Sequence, residues 1–339
     1  MVKERNLNLD IIRGIAAYSV VANHVLSHFA GYGESMLGNI NFSLQNPLFM
    51  MVSGWALMYS KPIVDGKSFM TFLKKRTILL ILPWVIWSLL KWAMLSDKPF
   101  IDYFQNNLYH MEGLYWFLFS LWVMNVIYAI SCLFFKKLVD KRIGYCVGVS
   151  IVSMILVTAI FVACYATVGV DFLGIKFTAY YFPFFLLGWF GSELTKRSWN
   201  EKRLTIFDWF VCACIVIYAI LISNYNIASL PDKMAPLRFF ISIVGCIVLF
   251  YVIFKTKFSQ TNKMVQALAW GGQKTLELYV VHYIVMGFLK NSGASVLTVF
   301  GFSEFILDLV IVLAVTVLFI CIIDSNKIAR EVLFGKIKV

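Results

Sequence analysis

Ten apolar stretches divide this chain, each long enough, or nearly so, to cross a hydrocarbon core of about 30 Å as a helix. They run roughly over 7–29, 41–60, 77–95, 114–135, 144–168, 178–194, 206–224, 237–254, 275–290 and 304–323. No water satisfies a backbone inside lipid, so such segments must close their hydrogen bonds internally. Composition agrees: 60% of the 339 residues are hydrophobic and only 14% are charged, against about 25% charged in soluble proteins. The expected fold class is all-α, a polytopic membrane protein of about ten transmembrane helices. The longest loops, near 61–76, 96–113 and 255–274, are too short to hold a second domain. Residues 1–339 therefore read as a single membrane-embedded domain.

The net charge of +12 would suit a nucleic-acid partner if it were concentrated in one patch. Instead 23 of the 30 Lys and Arg residues fall in alternate loops. Lys3 and Arg5 precede the first stretch; Lys61, Lys67, Lys74, Lys75 and Arg76 follow the second; Lys136, Lys137, Lys141 and Arg142 follow the fourth. The alternation continues with Lys196, Arg197, Lys202 and Arg203, then Lys255, Lys257, Lys263 and Lys274, and finally Lys327, Arg330, Lys336 and Lys338. The positive-inside rule then places both termini in the cytoplasm. The charge is accounted for by a lipid bilayer, and no nucleic-acid partner is expected.

The seven cysteines fall within the apolar stretches and show neither disulfide nor zinc spacing, so no metal site is expected. The basic start followed by an apolar run looks like a signal peptide, but Arg13 interrupts the run and no small-residue cleavage site follows. Pro47, Pro83 and Pro183 sit at or within stretches, where they release backbone groups that neighbours must satisfy. Tyr and Trp near the ends of stretches, among them Trp84, Tyr115, Trp116 and Trp189, read as interfacial anchors. There is no G-x-S-x-G elbow, and Gly66-Lys67-Ser68 lacks the upstream glycine of a phosphate loop.

Ionisable groups at membrane depth mark function by default. Arg13 and His24 lie eleven residues apart in the first stretch, which returns to within about 20° of the same helix face and separates them by roughly 16 Å along the axis. His24 suits a general base, since imidazole takes up and releases a proton near neutral pH; it suits equally a cross-link between helices. Arg13 could fork onto a phosphate entering from the cytosol, or pair with Asp10 one turn earlier. His282, in the ninth stretch, shares a helix face with Tyr279, so both could face one cavity.

These residues resemble a known family. Arg13 and His24, in Leu9-Asp10-Ile11-Ile12-Arg13-Gly14-Ile15-Ala16-Ala17 through Asn23-His24, resemble the R-x10-H signature of the integral-membrane acyltransferase-3 family. Phe49 to Ser53-Gly54 is similar to its F-x-x-x-S-G stretch, Arg76 with Leu82-Pro83-Trp84 to its basic entry to the third helix, Tyr115-Trp116-Phe117-Leu118 to its W-F-L segment, and Tyr279 with His282 to its late Y-x-x-H.

The resemblance implies transfer of an acyl group, commonly acetyl from acetyl-CoA, to a hydroxyl of a surface polysaccharide or lipid-linked glycan. It implies His24 as catalytic base, Arg13 as a donor-binding residue, and Arg76 and Lys74 as further donor contacts. Lys74 stands where the family often has an arginine and offers a point charge without the bidentate fork. Tyr279, His282 and Ser53 are candidates for orienting the acceptor or stabilising the oxyanion. The expected location is the cell membrane, with acyl-CoA as co-substrate. A transporter or flippase using Arg13 and His24 as a charge relay is the alternative from another class, and an inactive partner of a polysaccharide synthase is a third.

Overall fold

A computed structural model describes residues 6–136, 142–195 and 201–337. Of the basic residues counted above, Lys3, Arg5, Lys137, Lys141, Lys196, Arg197 and Lys338 lie outside the described residues. Among the described residues all regular structure is helical, apart from an isolated bridge between Ala30 and Ser295. The helices are α1 Leu7–Leu26, α2 Met36–Trp55, α3 Gly66–Leu95, α4 Phe100–Tyr109, α5 Trp116–Phe134, α6 Arg142–Thr167, α7 Ile175–Leu194, α8 Glu201–Asn224, α9 Ala235–Lys255, α10 Lys263–Gln273, α11 Thr275–Met286, α12 Val299–Ser325 and α13 Lys327–Phe334. The chain is an all-α polytopic membrane protein.

Among the described residues seven helices, namely α1, α3, α5, α6, α8, α9 and α12, are long and apolar enough to cross a membrane. The other three expected spans take different forms. α2 is helical over 20 residues but buries Asn39, Asn41, Ser43 and Gln45. α7 continues through Pro183. The ninth stretch closes after 12 residues as α11.

The segment read as a loop before it contains α10. Asn262 starts this helix by accepting the backbone N–H groups of Met264 at 2.9 Å and Val265 at 3.3 Å. Val265, Ala269, Gly271 and Gly272 then give α10 a buried face.

The chain forms two compact units. One lies within 53–196 and 321–339. There the Trp122 indole donates to Thr77 Oγ1 at 2.9 Å, and Trp87 donates to the Leu333 carbonyl at 2.7 Å while its ring stacks on Phe334. Buried hydroxyl pairs, Thr178 with Ser120 and Ser153 with Ser131, cross-link its helices, as polar side chains do where there is no water to compete. Tyr115 and Trp189, expected as interfacial anchors, are instead core residues, 0% and 2% exposed. Trp189 packs edge-on to Tyr128, because an aromatic body buries well once a neighbour covers it.

The other unit lies within 1–52 and 197–320. Its α1 starts at Asn6, whose side chain accepts the Leu9 N–H at 3.1 Å, and Asp10 adds a negative charge to the first turn, where the helix dipole favours it. α2 is tied to α1 by Asn41 Nδ2 donating to the Ser19 carbonyl at 2.9 Å. It is tied to α8 by the Ser43–Tyr218 hydroxyl pair at 2.8 Å.

Candidate active site

The unit of residues 1–52 and 197–320 holds α1 and α10 together backbone to backbone. A Cβ built on Gly272 would lie 1.8 Å from the Asp10 carbonyl oxygen, and one on Gly14 would lie 1.9 Å from that of Leu268. Only glycine allows this approach, the usual device by which small residues seat membrane helices against one another. Gly271 makes room for the Tyr18 ring, whose hydroxyl donates to the Ala267 carbonyl at 3.0 Å. α10 ends at Lys274, and α11 then leads to Tyr279, His282 and Tyr283.

The result is a cluster around His24, half-buried in the last turn of α1. Its ring centroid lies 5.3 Å from that of His282 and 4.8 Å from that of Tyr283. Tyr279 lies 6.0 Å from His282, centroid to centroid. His282 is fully buried, with Nδ1 2.7 Å from the Leu278 carbonyl. A carbonyl only accepts, so Nδ1 carries a hydrogen and donates to it. The site thus places a second imidazole beside the first.

Arg13 stands toward the other end of α1, its Nη1 3.8 Å from the Asp10 carboxylate. The pairing leaves the arginine side chain 28% exposed while Asp10 is 4% exposed. Lys274 and Glu277 form a second pair at 3.4 Å, with Glu277 1% exposed. Since Gly272 packs on the Asp10 backbone, both ion pairs belong to the same end of this unit. Ser53, Lys74 and Arg76 belong to the unit of residues 53–196 and 321–339. Ser53 is half-buried in the last turn of α2; Lys74 is exposed; Arg76 donates to Ser60 Oγ at 3.3 Å and lies over the Phe72 ring. Gly54, next to Ser53, lets α2 approach the Phe185 backbone.

The acyltransferase domain family matches residues 6–324. The chain belongs to the acyltransferase-3 family. A curated relative, nodulation protein NolL of Mesorhizobium japonicum, is 21% identical over 302 residues, covering 82% of this chain and 75% of the relative. No solved structure matches. The protein is therefore a membrane acyltransferase.

For an acyltransferase the His24 cluster offers what acyl transfer needs: a base, a neighbour able to share its proton, and phenolic groups able to donate to a developing oxyanion. Tyr283 was not singled out from the sequence. Its signal was its position next to His282, since two consecutive residues can flank a ring when the edge of their helix faces it. Glu304 and Asp308 were also passed over, although two carboxylates within one apolar helix are conspicuous by cost alone. Among the described residues no group of three or more His, Cys, Asp or Glu is arranged to hold a metal ion.

Proposed function

We propose that the protein transfers an acyl group, most simply acetyl, from cytosolic acyl-CoA to a hydroxyl of a surface or lipid-linked carbohydrate at the cell membrane. The single observation that carries this reading is the cluster of His24, His282 and Tyr283 in a chain of the acyltransferase-3 family. With the termini cytoplasmic, as the basic loops suggest, Arg13 faces the side from which the donor comes. His24 faces the side from which a surface glycan comes.

In this mechanism the Arg13 guanidinium holds a phosphate of the donor. His24 takes the proton from the acceptor hydroxyl as its oxygen attacks the thioester carbonyl carbon. The tetrahedral intermediate collapses, the C–S bond breaks, and the proton held by His24 passes to the departing thiolate. Nε2 of His282 accepts from the protonated His24 ring and stabilises its charge. Tyr279 orients the acceptor.

The test is purified protein in lipid with labelled acetyl-CoA and extracted surface glycan. Loss of thioester and gain of a sugar ester are expected, both abolished in His24→Ala. Failure to bind or consume any acyl-CoA would refute the reading, and movement of glycan without esterification would favour a flippase.

A further inference from the structure

α12 is apolar through most of its length, yet it carries Glu304 and Asp308 one turn apart. Like charges at this spacing repel. Their surroundings are built by the end of α1 and the segment after it. Phe29 meets Phe305 edge to face at 6.1 Å. The Ser292 N–H donates to the His28 carbonyl at 3.1 Å, and Ala30 exchanges backbone bonds with Ala294 and Val296 at 3.0 Å.

Ser292 Oγ in turn donates to Glu304 Oε1 at 2.9 Å. Asp308 lies one turn along α12 from Glu304, on the same helix face. Nδ1 of His28 is buried and makes no hydrogen bond. Among the described residues neither carboxylate has a lysine or arginine partner. Two acids and an imidazole, with hydrogen-bonding capacity left over, thus gather where Ser292 links α12 to His28, four residues after His24 and just past the end of α1.

We propose that His28, Ser292, Glu304 and Asp308 form the acceptor subsite, which takes the hydroxyl-rich ring of a neutral or amine-bearing sugar. This rests on the acyltransferase reading above. Carboxylate oxygens accept hydrogen bonds, so the subsite suits a ligand rich in donors, and neighbouring sugar hydroxyls or an ammonium group supply them. The buried Nδ1 of His28 pairs with one further hydroxyl, whose capture also relieves the cost of an unmade bond. A uronate or phosphate would meet two like charges, so the subsite selects against anionic sugars.

The experiment replaces the gene in its native host with Asp308→Asn, Glu304→Gln, Asp308→Glu or His24→Ala, and measures surface-glycan ester content by mass spectrometry. Acetyl-CoA binding and the melting midpoint are measured on each purified protein in lipid. Asp308→Asn and Glu304→Gln should each lower ester content at least tenfold and keep acetyl-CoA affinity within twofold of the parent. Their melting midpoints should not fall, because a repulsive charge has gone, and Asp308→Glu should recover part of the ester. Unchanged ester content in both neutral variants, with His24→Ala devoid of ester, overturns this inference alone. A lower melting midpoint with donor binding also lost would assign the cluster a structural role and overturn it as well. If His24→Ala keeps parental ester content, the acyltransferase reading of the site fails and the subsite fails with it.

Discussion

Gly272→Ala is the smallest change that should disturb the candidate site without touching any of its reactive groups. The added methyl would sit 1.8 Å from the Asp10 carbonyl oxygen, whereas a carbon and an oxygen settle at about 3.3 Å or more. α10 and α1 must therefore separate by roughly 1.5 Å at this level. The obstacle is backbone, so no rotamer change can relieve it. Overpacking of this kind costs about 1–3 kcal/mol. Because α10 leads directly into α11, the displacement reaches His282 and Tyr283, and a misplacement of about 1 Å near a reacting group can cost about 100-fold in rate. The expected outcome is a lower melting midpoint in lipid and a turnover reduced by about two orders of magnitude at saturating acyl-CoA. Gly144→Ala is the control. Among the described residues nothing lies within 4 Å of its added carbon, and alanine there should leave turnover alone while stabilising α6 by up to about 1 kcal/mol. Parental turnover and melting midpoint in Gly272→Ala would refute the argument that this contact sets the spacing of the site.

Other outcomes follow from the same geometry. His282→Ala removes the neighbour of His24 and should lower turnover by about 10²-fold or more with little change in acyl-CoA affinity; single-turnover kinetics would show the split. Arg13→Lys keeps the charge and the Asp10 pairing but loses the fork, so the KM for acyl-CoA should rise about tenfold, near 1.4 kcal/mol, with turnover largely kept. At the start of α3, the backbone N–H of Ser68 holds the Asp65 carboxyl below the usual aspartate range. The folded-state value is depressed, so the cap is fully in place above the ordinary aspartate pKa and is lost as pH falls through the folded value. The protection factor of the Ser68 amide, its exchange rate corrected for the intrinsic pH dependence, should therefore fall on acidification, and Asp65→Asn should flatten that response.

Much of this was legible in the sequence because lipid leaves a chain few options. Long runs without charge become helices, and Arg13 and His24 stand out through their cost. What escaped detection was held by contacts with no compositional signature. α10 is eleven residues of mixed polarity, and only its glycines hint that a backbone passes close by. The pairing of His24 with His282 joins residues 258 positions apart, and nothing in either local sequence specifies it. Tyr283 was obscured by the helical-face rule, which groups residues three or four apart and misses a helix that turns its edge to its neighbour. Glu304 and Asp308 were legible on the same grounds as Arg13 but fell in the most apolar helix, where hydropathy averages hide them. Trp189 looked like an anchor because its residue type is ambiguous until burial is known.

The short break at Lys274 gives the His24 cluster a lever. On one side of it, α10 is seated against α1 through glycine; on the other, α11 carries His282 eight residues away, an arm of roughly 12 Å. A tilt of about 5° at this joint would swing the second imidazole by about 1 Å, enough to engage or release the first. The Lys274–Glu277 ion pair spans the joint like a brace, and a donor phosphate that drew Lys274 away would loosen the arm bearing the second imidazole.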